Sequence, residues 1–138
     1  MKKAVTILLI SLMLFTSGCA VMTAAQPEPT PAPPTVEELL ADALKYYNAG
    51  NYEEAILLYT EVIEIEPRNF GATVGLGKAY RSTGNNGQAV ETLKAAYELN
   101  DSPDVAFELG CAYIANGQYT DAESLASELW KDGEGDNK

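Results

Sequence analysis

The sequence contains no histidine. That removes the side chain most often used for acid–base work near neutral pH, the usual triads built on it, and histidine-ligated metals. Cysteine is scarce as well: Cys19 and Cys111 stand far apart in unlike surroundings. They do not make a disulfide framework or a zinc site. Positive charge is in short supply, with 9 Lys and Arg against 20 Asp and Glu and a net charge of −11. Phosphate backbones need a basic surface, so nucleic acid is not an expected partner, and the folded part is not expected to dock on anionic lipid. The acidic excess suits a solvated face or a basic partner. No nucleophile–base pair and no metal-ligand cluster is visible, so neither an enzyme nor a cofactor is expected.

What is present falls into parts. A length of 138 residues allows one domain and some additional chain. The chain opens with Lys2 and Lys3, a mostly apolar run from Ala4 to Phe15, and then small residues up to Cys19. This is the layout of a signal peptide over residues 1–18, too short for a stable transmembrane span. Thr16-Ser17-Gly18-Cys19 also resembles the bacterial lipobox, although Leu is commoner in that family where Thr16 stands. The resemblance implies a diacylglycerol on the Cys19 thiol, cleavage just before it, and often an acyl chain such as palmitate on the new amino group. Two or more acyl chains give lasting attachment where one gives marginal binding. The alternative is an ordinary secreted protein whose cleavage site holds a cysteine. Cleavage would leave 7 basic residues against all 20 acidic ones, a net −13. Ala20 follows the cysteine. The same resemblance implies outer-membrane sorting in a Gram-negative cell, because no Asp stands there, and the outer face of the cytoplasmic membrane in a Gram-positive one.

Residues 19–35 read as a tether. Pro27, Pro29, Pro31, Pro33 and Pro34 favour extended polyproline II, with little to bury. Sixteen such residues reach about 50 Å at roughly 3.1 Å each. A ligand for a proline-recognising domain is the competing reading; position between a lipid site and a folded part favours a spacer.

From Thr35 the pattern becomes helical. Thr35 and Glu38 form a capping box, as do Asn51 and Glu54. Apolar residues recur at three- and four-residue steps from Leu39 to Tyr47 and from Ala55 to Ile63, with Gly50 between and Pro67 after. Tyr46, Tyr80 and Tyr113 are 34 and 33 residues apart, and Gly50, Gly84 and Gly117 keep the same spacing, as do Ala55, Ala89 and Ala122. Such a period marks stacked helical hairpins. These residues resemble the tetratricopeptide repeat family. The expected fold is all-α, an α-solenoid of about three hairpins over 36–69, 70–102 and 103–131, with an acidic flexible tail at 132–138. Small residues Ala43, Gly77 and Gly110 are expected where the helices of a hairpin cross. Asp42 departs from the family's usual Leu, and the middle unit is loosened by Gly87 and by lacking the aromatic seen as Tyr52 and Tyr119.

In that family the first helices of successive units line a concave groove that binds a peptide or protein. The matching positions are Leu40, Leu44, Tyr47 and Asn48, then Val74, Lys78 and Arg81, then Phe107, Cys111 and Ile114. Lys78 and Arg81 lie three apart and share a helix face. They suit an acidic residue between hydrophobic anchors of a partner, or else they balance nearby Glu side chains. Trp130 either folds over the last helix pair or stays exposed as an additional contact. Cys111 reads as a small core residue rather than a reactive thiol. Asp132, Glu134 and Asp136 alternate like calcium ligands but lack the later Glu of a full loop, so a solvated tail is expected. The resulting expectation is a lipid-anchored, protein-binding adaptor of the cell envelope, touching membrane only through its lipid. The alternative is a self-associating assembly component that uses an uncapped last hairpin, giving a homo-oligomer.

Overall fold

The computed structural model describes residues 33–135. The expected signal segment, Cys19 and the tether as far as residue 32 lie outside these residues, as do residues 136–138. Six helices follow one another: α1 (Val36–Asn48), α2 (Tyr52–Ile65), α3 (Phe70–Ser82), α4 (Asn86–Leu99), α5 (Pro103–Ala115) and α6 (Tyr119–Gly135). None of them is long and apolar enough to cross a membrane.

Local chemistry sets the ends. The Thr35 hydroxyl accepts from the Glu38 N–H at 3.3 Å, while the Thr35 N–H donates to the Glu38 carboxylate at 2.8 Å. The Asn69 side chain accepts from the Ala72 N–H at 2.9 Å to start α3. α5 begins with Pro103 after Ser102, where a missing N–H costs nothing. The second capping box does not form: Asn51 makes no side-chain cap bond and sits at ψ 71°, outside the extended range an N-cap needs. The preceding turn fixes that angle.

The turn is the same in every hairpin. Gly50, Gly84 and Gly117 have φ of 82°, 81° and 76°. That left-handed conformation is open to glycine and reverses the chain. It lets the N–H three residues past each helix return to a tyrosine carbonyl: Asn51 to Tyr46 at 3.0 Å, Asn85 to Tyr80 at 2.9 Å and Gln118 to Tyr113 at 2.8 Å. Tyrosine and glycine therefore recur together because they are two ends of one closed turn.

Helices shorter than about 15 residues are marginal alone, so packing must hold them. Each helix packs on the next, and α3 also touches α1 and α5. The second helices α2, α4 and α6 make no such contact with each other. The row α1–α3–α5 is therefore the closer-spaced, concave side. One core cluster, with Leu39, Ala43, Ala55, Tyr59, Val62, Ala72 and Leu76, joins the first hairpin to α3. A second, with Ala89, Val90, Leu93, Leu109, Ala112 and Leu125, joins the middle hairpin to the third. Tyr80 packs against both.

Several details depart from the sequence reading. A Cβ on Gly77 would lie 2.5 Å from Leu93 Cγ, so the expected close crossing is real there, but a Cβ on Gly110 would meet nothing within 4 Å. In the third hairpin the repeat position of Leu93 is taken by Ala126, which is exposed. α6 continues to Gly135, past the residue 131 boundary, into the stretch read as a tail. Once a helix is nucleated each residue adds a hydrogen bond, which offsets the glycine cost of about 1 kcal/mol. Asp42 is exposed on α1. No preceding described hairpin covers that face, which accounts for a charge where packed units carry Leu. In the middle unit, Asn86 occupies the place of Tyr52 and Tyr119, and its side chain donates to the Ala115 carbonyl at 2.8 Å. The missing aromatic is replaced by a cap on the end of α5.

Candidate functional site

The concave row presents two hollows separated by α3. The first, about 250 Å³, lies between α1 and α3 and is lined by Leu44, Tyr47, Asn48, Tyr59, Gly71, Val74, Gly75 and Lys78. The second, about 490 Å³, lies between α3 and α5 and is lined by Phe70, Gly71, Val74, Lys78, Ser102, Asp104, Val105, Phe107 and Glu108. They share Gly71, Val74 and Lys78, so one helix face forms the saddle between them.

Glycine makes the first hollow. A Cβ on Gly75 would meet Tyr59 ring atoms at 2.4–2.8 Å. Only a bare backbone lets the Tyr59 ring, reaching across from α2, close the floor. Burial pushes the Tyr59 phenol above its ordinary value, with the neighbouring Tyr47 phenol adding to the effect, so it stays neutral. Tyr47 is braced edge-on by Tyr52, with ring centroids 5.3 Å apart.

Charge is concentrated at the saddle. Lys78 Nζ lies 3.2 Å from Glu108 Oε1. Arg81 Nη2 donates to Glu108 Oε2 at 2.8 Å. Two cations from α3 thus share one carboxylate from α5. Glu108 is 17% exposed, and partial burial strengthens the pairing relative to a surface ion pair. Lys78 also lies 5.9 Å from the Tyr47 ring centroid, within cation–π reach. Its stem therefore spans the saddle from one hollow to the other. Buried Arg81 Nε has no hydrogen-bond partner.

Leu44, Tyr47, Asn48, Val74, Lys78 and Phe107 line the hollows. Leu44 and Phe107 are 53% and 69% exposed, a large apolar surface open to solvent. Leu40 instead packs against the first core cluster. Arg81 is held by Glu108 and is not free in the groove. Cys111 is a half-buried free thiol and Ile114 is exposed, and neither lines a hollow. Trp130 does not fold over the last helix pair: it is 70% exposed, and Leu125 and Leu129 cover that core. The sequence reading missed Glu108, Tyr59 and the Gly71/Gly75 pair. The glycines carried a usable signal, four apart on the concave stripe of a first helix. Glu108 is 27 residues from Arg81, and only superposition of repeats pairs them.

A wider cleft of about 600 Å³ lies on the opposite side, between α2 and α4, with Ile63, Leu76, Glu91 and Glu98 among its walls. It is the wedge left where the second helices diverge. Among the described residues no group of three or more His, Cys, Asp or Glu could hold a metal ion.

Residues 46–99 match the family model described as tetratricopeptide repeat. No curated protein matches the chain. Among solved structures, MamA of AMB-1 is similar at 27% identity and a TM-score of 0.64, over 72% of this chain and 57% of that one. The match thus spans little more than half of MamA. The Yersinia enterocolitica type III secretion chaperone SycD, in complex with a peptide of the translocator YopD, is similar at 24% identity and a TM-score of 0.64, over 71% of this chain and 78% of that one. The first repeat domain of RPAP3, bound to an HSP90 peptide, gives 24% and 0.64 over 70% of this chain and 77% of that one.

Proposed function

This chain is a tetratricopeptide repeat protein, and from that premise we propose that it is a protein-binding adaptor of the bacterial envelope, tethered to membrane by lipid on Cys19. The function is recognition rather than chemistry. The observation that carries it is the pair of hollows on the concave face, joined over a low saddle and opened by Leu44 and Phe107. Exposed apolar surface rimmed by charge is what a binding site offers and what an unbound surface otherwise avoids. The peptide complexes of SycD and RPAP3 support the same reading by fold alone.

The anchor and tether complete the proposal. A lipidated Cys19 holds the domain near a membrane and raises its effective concentration for envelope partners. Cys19→Ser is expected to abolish lipid labelling and membrane fractionation; persistent labelling would contradict the anchor. For the adaptor role, the full chain is expected to retain a specific envelope protein that Lys78→Gln releases at moderate salt. Retention unaffected by the substitution would contradict the groove.

The self-associating alternative finds less support. The outward face of α1 exposes Glu38, Asp42 and Tyr46, and that of α6 exposes Glu123, Ser127 and Glu128. Stacking one on the other sets acid against acid, which costs association rather than driving it.

A further inference from the structure

The third hairpin leaves open a face that the first two have covered. In the second hairpin, Lys78 and Arg81 bind Glu108 of α5, and Asn86 donates to the Ala115 carbonyl at the end of α5. Val90 and Leu93 share a core cluster with Leu109 and Ala112 of the same helix. The first hairpin is covered by α3 in like manner, with Tyr59 and Val62 in one cluster with Ala72 and Leu76. In the third hairpin the repeat positions of Arg81, Asn86, Leu93 and Tyr97 hold Ile114, Tyr119, Ala126 and Trp130. Among the described residues α6 packs on α5 alone, so nothing lies on them. Ile114, Tyr119 and Trp130 are 57%, 68% and 70% exposed, whereas their counterparts Arg81, Asn86 and Tyr97 are half-buried. We infer that this open end docks an amphipathic helix of a partner protein, one with a leucine anchor and a basic residue at its edge. The face shares no residue with either concave hollow and gives the chain a second binding surface.

A helix fits because a helix fills this face in both preceding units. α3 buries Leu76 with Ala79 three residues on, and α5 buries Leu109 with Ala112 in the same relation. A leucine has room to enter. A Cβ on Gly77 would lie 2.5 Å from Leu93, but a Cβ on Gly110 would meet nothing within 4 Å, and exposed Ala126 stands in the place of Leu93. Trp130, one turn farther along α6, offers the anchor an apolar neighbour. Where α3 meets Glu108 with two cations, α5 presents Cys111 and Ile114, so the docked helix carries an apolar residue in the place of Glu108. The basic residue follows from Glu123. It holds the position where Val90 is 5% exposed and Ile56 is half-buried. Covering a carboxylate there is favourable only if a cation meets it. The same charge turns away a second copy of this chain, whose uncovered α1 brings Glu38 and Asp42.

Trp130 is the only tryptophan of the chain, so its emission reads this face directly. Two peptides of about 20 residues, long enough to form a helix and free of tryptophan, carry Leu-Leu-x-x-Ala on one face with either arginine or glutamate at its edge. Added to the full chain, the arginine peptide should shift Trp130 emission to the blue and reduce its quenching by acrylamide. It should bind about ten-fold tighter than the glutamate peptide. Ala126→Arg, at an exposed position, should weaken binding by about ten-fold or more without loss of helicity, the scale of one well-seated apolar anchor. Glu123→Arg should reverse the preference between the two peptides. Binding that leaves Trp130 emission unchanged, or that Ala126→Arg does not weaken, would overturn the docking face, as would no binding of either peptide. Equal binding of both peptides, unaltered in Glu123→Arg, would overturn the basic residue. A blue shift that grows with chain concentration in the absence of peptide would put a second copy on the face and overturn the partner helix.

Discussion

Gly77 and Gly110 occupy the same place in successive units, yet alanine should act on them in opposite directions. A Cβ at Gly77 lies 2.5 Å from Leu93 Cγ and 2.9 Å from its Cδ2. Carbon atoms rest about 3.5–4.0 Å apart, so Leu93 must move by about 1 Å. It is fully buried, and the near atom is its branch point rather than a free tip, so the backbone of α3 or α4 must give. Overpacking of this kind costs about 1–3 kcal/mol. Alanine also gains about 1 kcal/mol of helix propensity over glycine. Gly77→Ala should therefore destabilise by up to about 2 kcal/mol. At Gly110 nothing lies within 4 Å of the added carbon. There the propensity gain stands alone, and Gly110→Ala should stabilise by up to about 1 kcal/mol. The propensity gain is common to both variants, so they should differ in melting midpoint by the overpacking cost alone, roughly 4 °C or more, at about 4–8 °C per kcal/mol for a domain of this size. Far-UV circular dichroism during thermal and urea unfolding reads both. If Gly77→Ala stabilises as much as Gly110→Ala does, the α3–α4 contact is not as tight as described.

Glu108→Gln leaves Arg81 and Lys78 without their shared carboxylate and should cost about 1–2 kcal/mol in urea unfolding, less at high salt; no change would remove the α3–α5 link from the account. Lys78→Gln keeps the Arg81–Glu108 bond, so stability should change by no more than about 0.5 kcal/mol while partner retention weakens; equal loss of both would mean that Lys78 is structural. The folded state holds the Tyr59 proton more tightly than the unfolded state, so its contribution is intact below pH 10.0 and is lost as pH rises beyond it. Tyr59→Phe should remove that part of the alkaline fall while leaving neutral stability nearly unchanged, and an unaltered alkaline slope would count against the buried phenol.

The architecture was legible because its causes are local. Tyr46, Tyr80 and Tyr113 close turns with Gly50, Gly84 and Gly117 through backbone bonds within a few residues, and the spacing of those residues declares the turn. Thr35 and Glu38 likewise meet within one helical turn. The site was less legible because its causes lie between units. Arg81 looked like an open groove cation until α5 brought Glu108 against it. Leu40 has the period of a groove residue, but it packs against the first core cluster. Gly75 drew no notice in the sequence, because its reason is the Tyr59 ring from a different helix. Asn51 and Glu54 had the spacing of a capping box, and the turn before them withheld the backbone angle. Trp130 could be read as covering the last helix pair or as staying exposed, and the smaller Leu125 and Leu129 pack that core while Trp130 stays exposed.

Photo-crosslinking in cells tests most directly whether the concave face is the binding surface. A crosslinking amino acid replaces Leu44 or Phe107 in the groove, or Leu57 on α2; these are exposed by 53%, 69% and 70% and equally apolar in kind. The account predicts the same protein adduct from Leu44 and Phe107 and none from Leu57. An adduct from Leu57 alone, or equally from all three, would contradict it.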